Sequence, residues 1–210
     1  MLKRIRICCD RIMPKEIDLE PLTLLYGCNG VGKTSLLHLI ENVFDGSKHL
    51  IDGEIDIVEG GLAGDGKIIV YSNSKDNDVN ADPNPYAGSG GYEADIIRRF
   101  ASMERSEGEN VYESFVIWIG HQKFNKGDTL LLDEMDSGLS AELINALMWD
   151  VSDLVNKGVQ VIMSINTYHP VFIFKKFLDM STGKFTDCSK YDYGDFLKET
   201  LEIRKRKLGI

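Results

Sequence analysis

Residues 27–34 read Gly-Cys-Asn-Gly-Val-Gly-Lys-Thr, and this octet constrains the fold more than any other part of the chain. Glycine stands at its first and sixth positions, lysine at the seventh and threonine at the eighth, the pattern of a loop that wraps phosphate. An apolar run at 22–26 precedes it. A helical pattern with Leu36, Leu39, Ile40 and Val43 on one face follows it, so the context is strand, loop, helix. The chemistry needs these residue types. Glycines let consecutive backbone N–H groups curl around an anion where side chains would obstruct. The helix that follows aims its positive end at the same anion. Lys33 would reach the outer two phosphates of a nucleotide, and the Thr34 hydroxyl would ligate Mg²⁺.

A second apolar run, Thr129-Leu130-Leu131-Leu132, ends in Asp133-Glu134. A buried strand that delivers an acid at its carboxyl end suits a partner for Mg²⁺ beside the phosphate loop. Asp133 is the candidate for holding the ion, and Glu134 for polarising an attacking water.

The rest of the chain alternates strand and helix. Ile5 and Ile7 alternate with Arg4 and Arg6 in an opening strand, and a hairpin is expected within the glycine-flanked stretch 53–66. A strand is expected at 68–71, a long mobile loop at about 72–91, and helices at about 92–103 and 106–123. A helix at 140–156, a strand at 159–164 and a closing helix that ends in the basic run 204–207 complete the pattern. Strands separated by helices in this way call for a largely parallel sheet covered by helices.

Composition narrows the function classes. The 210 residues carry 33 acidic against 24 basic side chains, a formal charge of −9, which argues against coating nucleic acid by bulk charge. Lys3, Arg4, Arg6 and Arg11, with the run 204–207, read first as a solvated strand edge and a helix end rather than as a phosphate-backbone surface. No apolar run approaches the ~18–20 residues of a membrane span. The start of the chain lacks the features of a secretory signal. Four cysteines without metal-ligand spacing fit a reducing, cytoplasmic setting.

With these pieces in order, the sequence resembles the ABC-type ATPase family, including its structural-maintenance-of-chromosomes and RecF-like DNA-repair branch. Four stretches carry the resemblance: 27–34, 129–134, Ser137-Gly138-Leu139, and Ser106-Glu107-Gly108-Glu109. The resemblance implies an α/β fold, that of a P-loop NTPase with an ABC-type head. Its mixed sheet would be flanked by helices, with an N-terminal antiparallel β portion, in one domain over 1–210. It implies ATP and Mg²⁺ as ligands, with Gly27, Asn29, Gly30, Val31, Gly32, Lys33, Thr34 and Ser35 around the nucleotide and Thr34 and Asp133 at the metal. Ser106, Gly108 and Glu109 look like the family's signature motif, which in an ATP-dependent homodimer meets the γ-phosphate held by the other copy. Ser106-x-x-Glu109 also reads as a capping box for the helix it opens, and the two roles are compatible.

Some positions depart from the family. Met135 replaces the usual proline, and Ser140 the aspartate that closes the family's next loop. Where a switch histidine is usual, the chain reads Thr167-Tyr168-His169-Pro170, so either Tyr168 or His169 occupies that role. The glutamine expected after the 68–71 strand is missing, with Asn73 as a weak substitute. The segment between phosphate loop and signature is too short for coiled-coil arms. The functions implied are an ATP-hydrolysing head acting on DNA or a soluble effector, in repair or phage defence, a transporter's nucleotide-binding subunit, or a nucleotide-gated regulator with little turnover.

Overall fold

The computed structural model describes residues 1–45, 52–62, 64–72 and 106–189. The expected helix at 92–103, most of the loop at 72–91, Asn73 and the basic run 204–207 lie outside them.

Two sheets clasp one helix. β1 (Leu2–Cys8) buries Leu2, Ile5 and Ile7 and turns Lys3 and Arg6 outward. It pairs antiparallel with β2 (Glu16–Asp18) on one side. After β3 (Leu22–Tyr26) and α1 (Lys33–Asp45), β4 (Glu54–Gly60) returns to the other side of β1. The hairpin expected within 53–66 is not formed. Among the described residues of that stretch one strand arises, because Ile55 and Ile57 stand opposite Ile7 and Ile5, whose buried face they extend.

Among the described residues the larger sheet has six strands. β5 (Ile68–Ser72), β6 (Thr129–Asp133) and β7 (Gln160–Ser164) run parallel to β3, as does β8 (Lys176–Asp179) on its far side. β9 (Lys184–Asp187) closes the edge antiparallel, giving the order β5-β6-β7-β3-β8-β9. Neither β8 nor β9 follows from the sequence pattern. They are four residues each, too short for a periodic signal to separate from a helix.

The central strands β6 and β7 are apolar between their polar end residues because both faces are covered. Leu130, Leu132, Val161 and Met163 face α2 (Glu107–His121) and α3 (Ala141–Asn156), where Phe115, Trp118, Leu147 and Val151 complete one core. Leu131 and Ile162 face the opposite way, toward Leu36, Leu37, Leu39 and Ile40 of α1 and the underside of the small sheet. Val43 does not join them and is 46% exposed. A short helix, α4 (His169–Phe174), links β7 to β8.

The two sheets are stapled by one buried amide. The Leu2 N–H donates to Gln160 Oε1 at 2.8 Å, and Gln160 Nε2 donates to the Leu2 and Glu20 carbonyls at 2.7 and 3.1 Å. The first strand of the small sheet is thereby fixed to the first residue of β7.

Candidate active site

The phosphate-loop octet springs from the carboxyl end of β3, the edge at which open parallel sheets place their ligands. The loop needs its glycines. Gly32 has φ +100°, and a side chain there would bring its Cβ within 2.8 Å of Ile12 Cγ1 in the β1–β2 connection. Lys33 opens α1 and is buried, and its Nζ donates to the Gly27 carbonyl at 2.8 Å, so it folds back across the loop. Burial holds its ammonium below the ordinary lysine value, against the pull of Asp136, Glu134, Cys28 and Asp133. A phosphate in the loop would offset that cost. Asn29 and Gly30 stand exposed at the loop's tip, with Val31 and Ser35 half-buried on either side of Lys33 and Thr34.

The acid pair arrives from the next strand but one. Thr34 Oγ1 donates to Asp133 Oδ1 at 3.0 Å, joining residues 99 apart in the chain. Between them stands β7, whose last residue, Ser164, is fully buried. Its hydroxyl donates to Asp133 Oδ1 at 2.6 Å and accepts from the Glu134 N–H at 2.8 Å. Glu134 sits at φ +54°, in the left-handed region that a side chain of this kind rarely occupies. Strain of this sort, of order 1–3 kcal/mol, persists where the surroundings over-determine it and tends to gather at functional sites. Here Ser164 supplies the anchor.

A hydroxyl and a carboxylate 3.0 Å apart are hard oxygen donors that fit Mg²⁺. Among the described residues no cluster of three or more His, Cys, Asp or Glu forms a cage for a metal.

Other expected residues fall at different contacts. Ser106 caps α2, and Glu109 completes the box: Glu109 Oε2 accepts from the Ser106 N–H at 2.8 Å, and the Glu109 N–H donates to Ser106 Oγ at 3.3 Å. Gly108 is buried, and a Cβ on it would stand 2.5 Å from the Gly138 carbonyl oxygen. The start of α2 therefore rests on the loop that follows the acid pair. His169 Nε2 lies 3.2 Å from Asn145 Oδ1 on α3. Tyr168 instead packs its ring 5.0 Å from that of Tyr26, the residue before Gly27. Met135, in the usual place of a proline, is wholly buried in the core.

Three polar residues of the site gave no sequence motif. Ser164 and Asp136 are both fully buried, and Ser72, at the end of β5, stands beside Asp133 in register. The available signal is a polar residue closing an otherwise apolar strand, which Ser72 and Ser164 both are. The β1 cations, by contrast, are neutralised. Lys3 pairs with Glu59, Arg4 with Asp18 and Glu16, and Arg6 with Glu16.

Two solved structures align with nearly the whole chain. One is cbiO1 from Clostridium perfringens, part of the ABC transporter complex cbiONQ: 16% identity, 98% of this chain and 96% of that one covered, TM-score 0.52. The other is an inward-facing ABC transporter of the metal-chelate type: 18% identity, 96% and 90% covered, TM-score 0.52. The fold is that of an ATP-binding cassette. No protein-family model and no curated protein matches the sequence. The cassette fold here keeps the phosphate loop, the acid pair and the capped helix of α2 on one continuous scaffold, and among the described residues no helix is long and apolar enough to cross a membrane.

Proposed function

We propose that this chain is an ATPase head that binds ATP and Mg²⁺ at 27–35 and 133–134 and closes on a second copy of itself when ATP is bound. The observation that carries the reading is the 3.0 Å bond from Thr34 to Asp133, with Lys33 folded back over the same loop. Thr34 and Asp133 would hold Mg²⁺, which neutralises charge building on the phosphates. The loop N–H groups and Lys33 bind and orient the phosphate chain. Glu134, fixed through its backbone by Ser164, takes the proton of the attacking water. Ser106, Gly108 and Glu109 present a capped helix N-terminus to the partner's γ-phosphate. The whole of 1–210 acts as one domain, and its working partner is a soluble effector or DNA.

A second reading is a transporter's nucleotide-binding subunit, favoured because the two structural neighbours named above come from transporters. Pairing of the β1 cations with acids also counts against the basic strand as a DNA surface. The two readings share the ATP-driven dimer. Sedimentation of Glu134→Gln with ATP, with ADP and without nucleotide tests it. A dimer only with ATP is expected. A monomer throughout overturns the signature role of 106–109.

A further inference from the structure

Asp136 lies three residues beyond Asp133 and is wholly buried, yet none of the roles above uses it. Its carboxylate collects three donors from a distant segment. The Asn166 N–H is shared between Oδ1 and Oδ2 at 3.1 and 2.9 Å, and the Thr167 N–H and hydroxyl both donate to Oδ2, at 2.6 and 2.7 Å. A buried carboxylate is costly unless its oxygens are satisfied in this way, so the segment at 166–167 cannot shift without exposing an unpaired charge. Tyr168 follows directly and rests on Tyr26 at the root of the phosphate loop. On the other side of Asp136, Gly138 supports Gly108 at the start of α2.

We propose that Asp136 is a positioning residue for ATP turnover: it locks the segment Asn166–Thr167–Tyr168 to the loop that bears the acid pair. The proposal rests on the ATPase reading. Asp136 touches neither nucleotide nor water in this scheme. It sets where Tyr168 and His169 stand relative to Glu134, and carries that setting through Gly138 to the helix offered to the second copy.

The carboxylate is matched to its partners because it only accepts. Asparagine would turn an N–H₂ donor against the N–H groups of Asn166 or Thr167. The hydroxyl of Thr167 contributes one of the contacts and is separable from the backbone, which makes it the cleaner probe.

The test compares Asp136→Asn, Thr167→Val and Thr167→Ser with wild type in three measurements: ATP affinity by calorimetric titration, kcat at saturating ATP, and thermal melting. Asp136→Asn and Thr167→Val are expected to lower kcat about tenfold or more while leaving ATP affinity within about threefold. Thr167→Ser keeps the hydroxyl and is expected to restore kcat to within about twofold of wild type. The double variant Asp136→Asn/Thr167→Val should lose less than the two single losses multiplied together, since both act on one shared network. If Asp136→Asn does not fold, the Thr167 pair decides. A Thr167→Val enzyme with wild-type kcat, or a Thr167→Ser enzyme as slow as Thr167→Val, overturns the proposal. A wild type that neither binds nor hydrolyses ATP overturns the ATPase reading and the proposal together, so the two failures are distinct.

Discussion

Removing one oxygen at Ser164 should disturb both the fold and the chemistry, by amounts that follow from two hydrogen bonds. Ser164→Ala deletes the hydroxyl that donates to Asp133 at 2.6 Å and accepts from the Glu134 N–H at 2.8 Å. A hydrogen bond to a charged group contributes about 1.5–3 kcal/mol, and a buried N–H left without a partner costs about 1–3 kcal/mol. The gap left by one hydroxyl is too small to admit a water that would repair either. Allowing for partial relaxation, a loss of about 2–4 kcal/mol is expected, which for a domain of this size lowers Tm by about 5–15 °C. Asp133 also loses one of its two hydroxyl donors, and Glu134 loses the anchor of its strained backbone. The Mg²⁺ concentration needed for half-maximal turnover should therefore rise about 10–100-fold, as for other residues that orient a metal ligand. Differential scanning calorimetry gives the first quantity and a Mg²⁺ titration of phosphate release the second. A variant that melts within a degree or so of wild type, with an unchanged Mg²⁺ midpoint, would refute the assignment of Ser164 as the support of both acids.

Gln160→Leu keeps the volume but strips from Leu2 and Glu20 the three hydrogen bonds of the staple; we expect a loss of about 3–5 kcal/mol in urea unfolding, and a loss under about 1 kcal/mol would show that the two sheets hold without it. Tyr112 donates to Asp150 at 3.0 Å, and burial with that bond pushes its hydroxyl up to about 12. A folded value above the unfolded one means the contribution is fully present below the ordinary tyrosine value of about 10 and is lost as pH climbs toward 12. Tyr112→Phe should therefore flatten the fall of Tm across that alkaline window, and an identical slope in both proteins would contradict the pairing.

The parts of this molecule that are local in sequence were legible in it. The phosphate loop carries its own geometry: positive φ, helix start and lysine all lie within eight residues. The acid pair, the capping box at Ser106 and the parallel apolar strands were legible for the same reason. What stayed hidden depends on contacts between distant segments. Asp136 looks like a solvated turn residue until 166–167 folds onto it, and Ser164 looks like a strand end until Asp133 and Glu134 meet it. The choice between Tyr168 and His169 is of this kind too. Adjacent residues there point to different neighbours, Tyr168 to Tyr26 and His169 to Asn145, which no spacing rule could separate. β8 and β9 leave no mark in the sequence because a four-residue strand is recognised by its partner strand and not by its own pattern.

The most direct test of the account is phosphate release from ATP by wild type and Glu134→Gln, measured side by side with the nucleotide that each retains. Glutamine preserves size and hydrogen bonding at 134 and removes only the base. Wild type is expected to release phosphate in a Mg²⁺-dependent way, and the variant to release it about a hundredfold or more slowly with intact ATP still bound. Release at the wild-type rate by Glu134→Gln would contradict the assignment of the base, and a wild type without turnover would leave ATP as a gating ligand instead of a substrate.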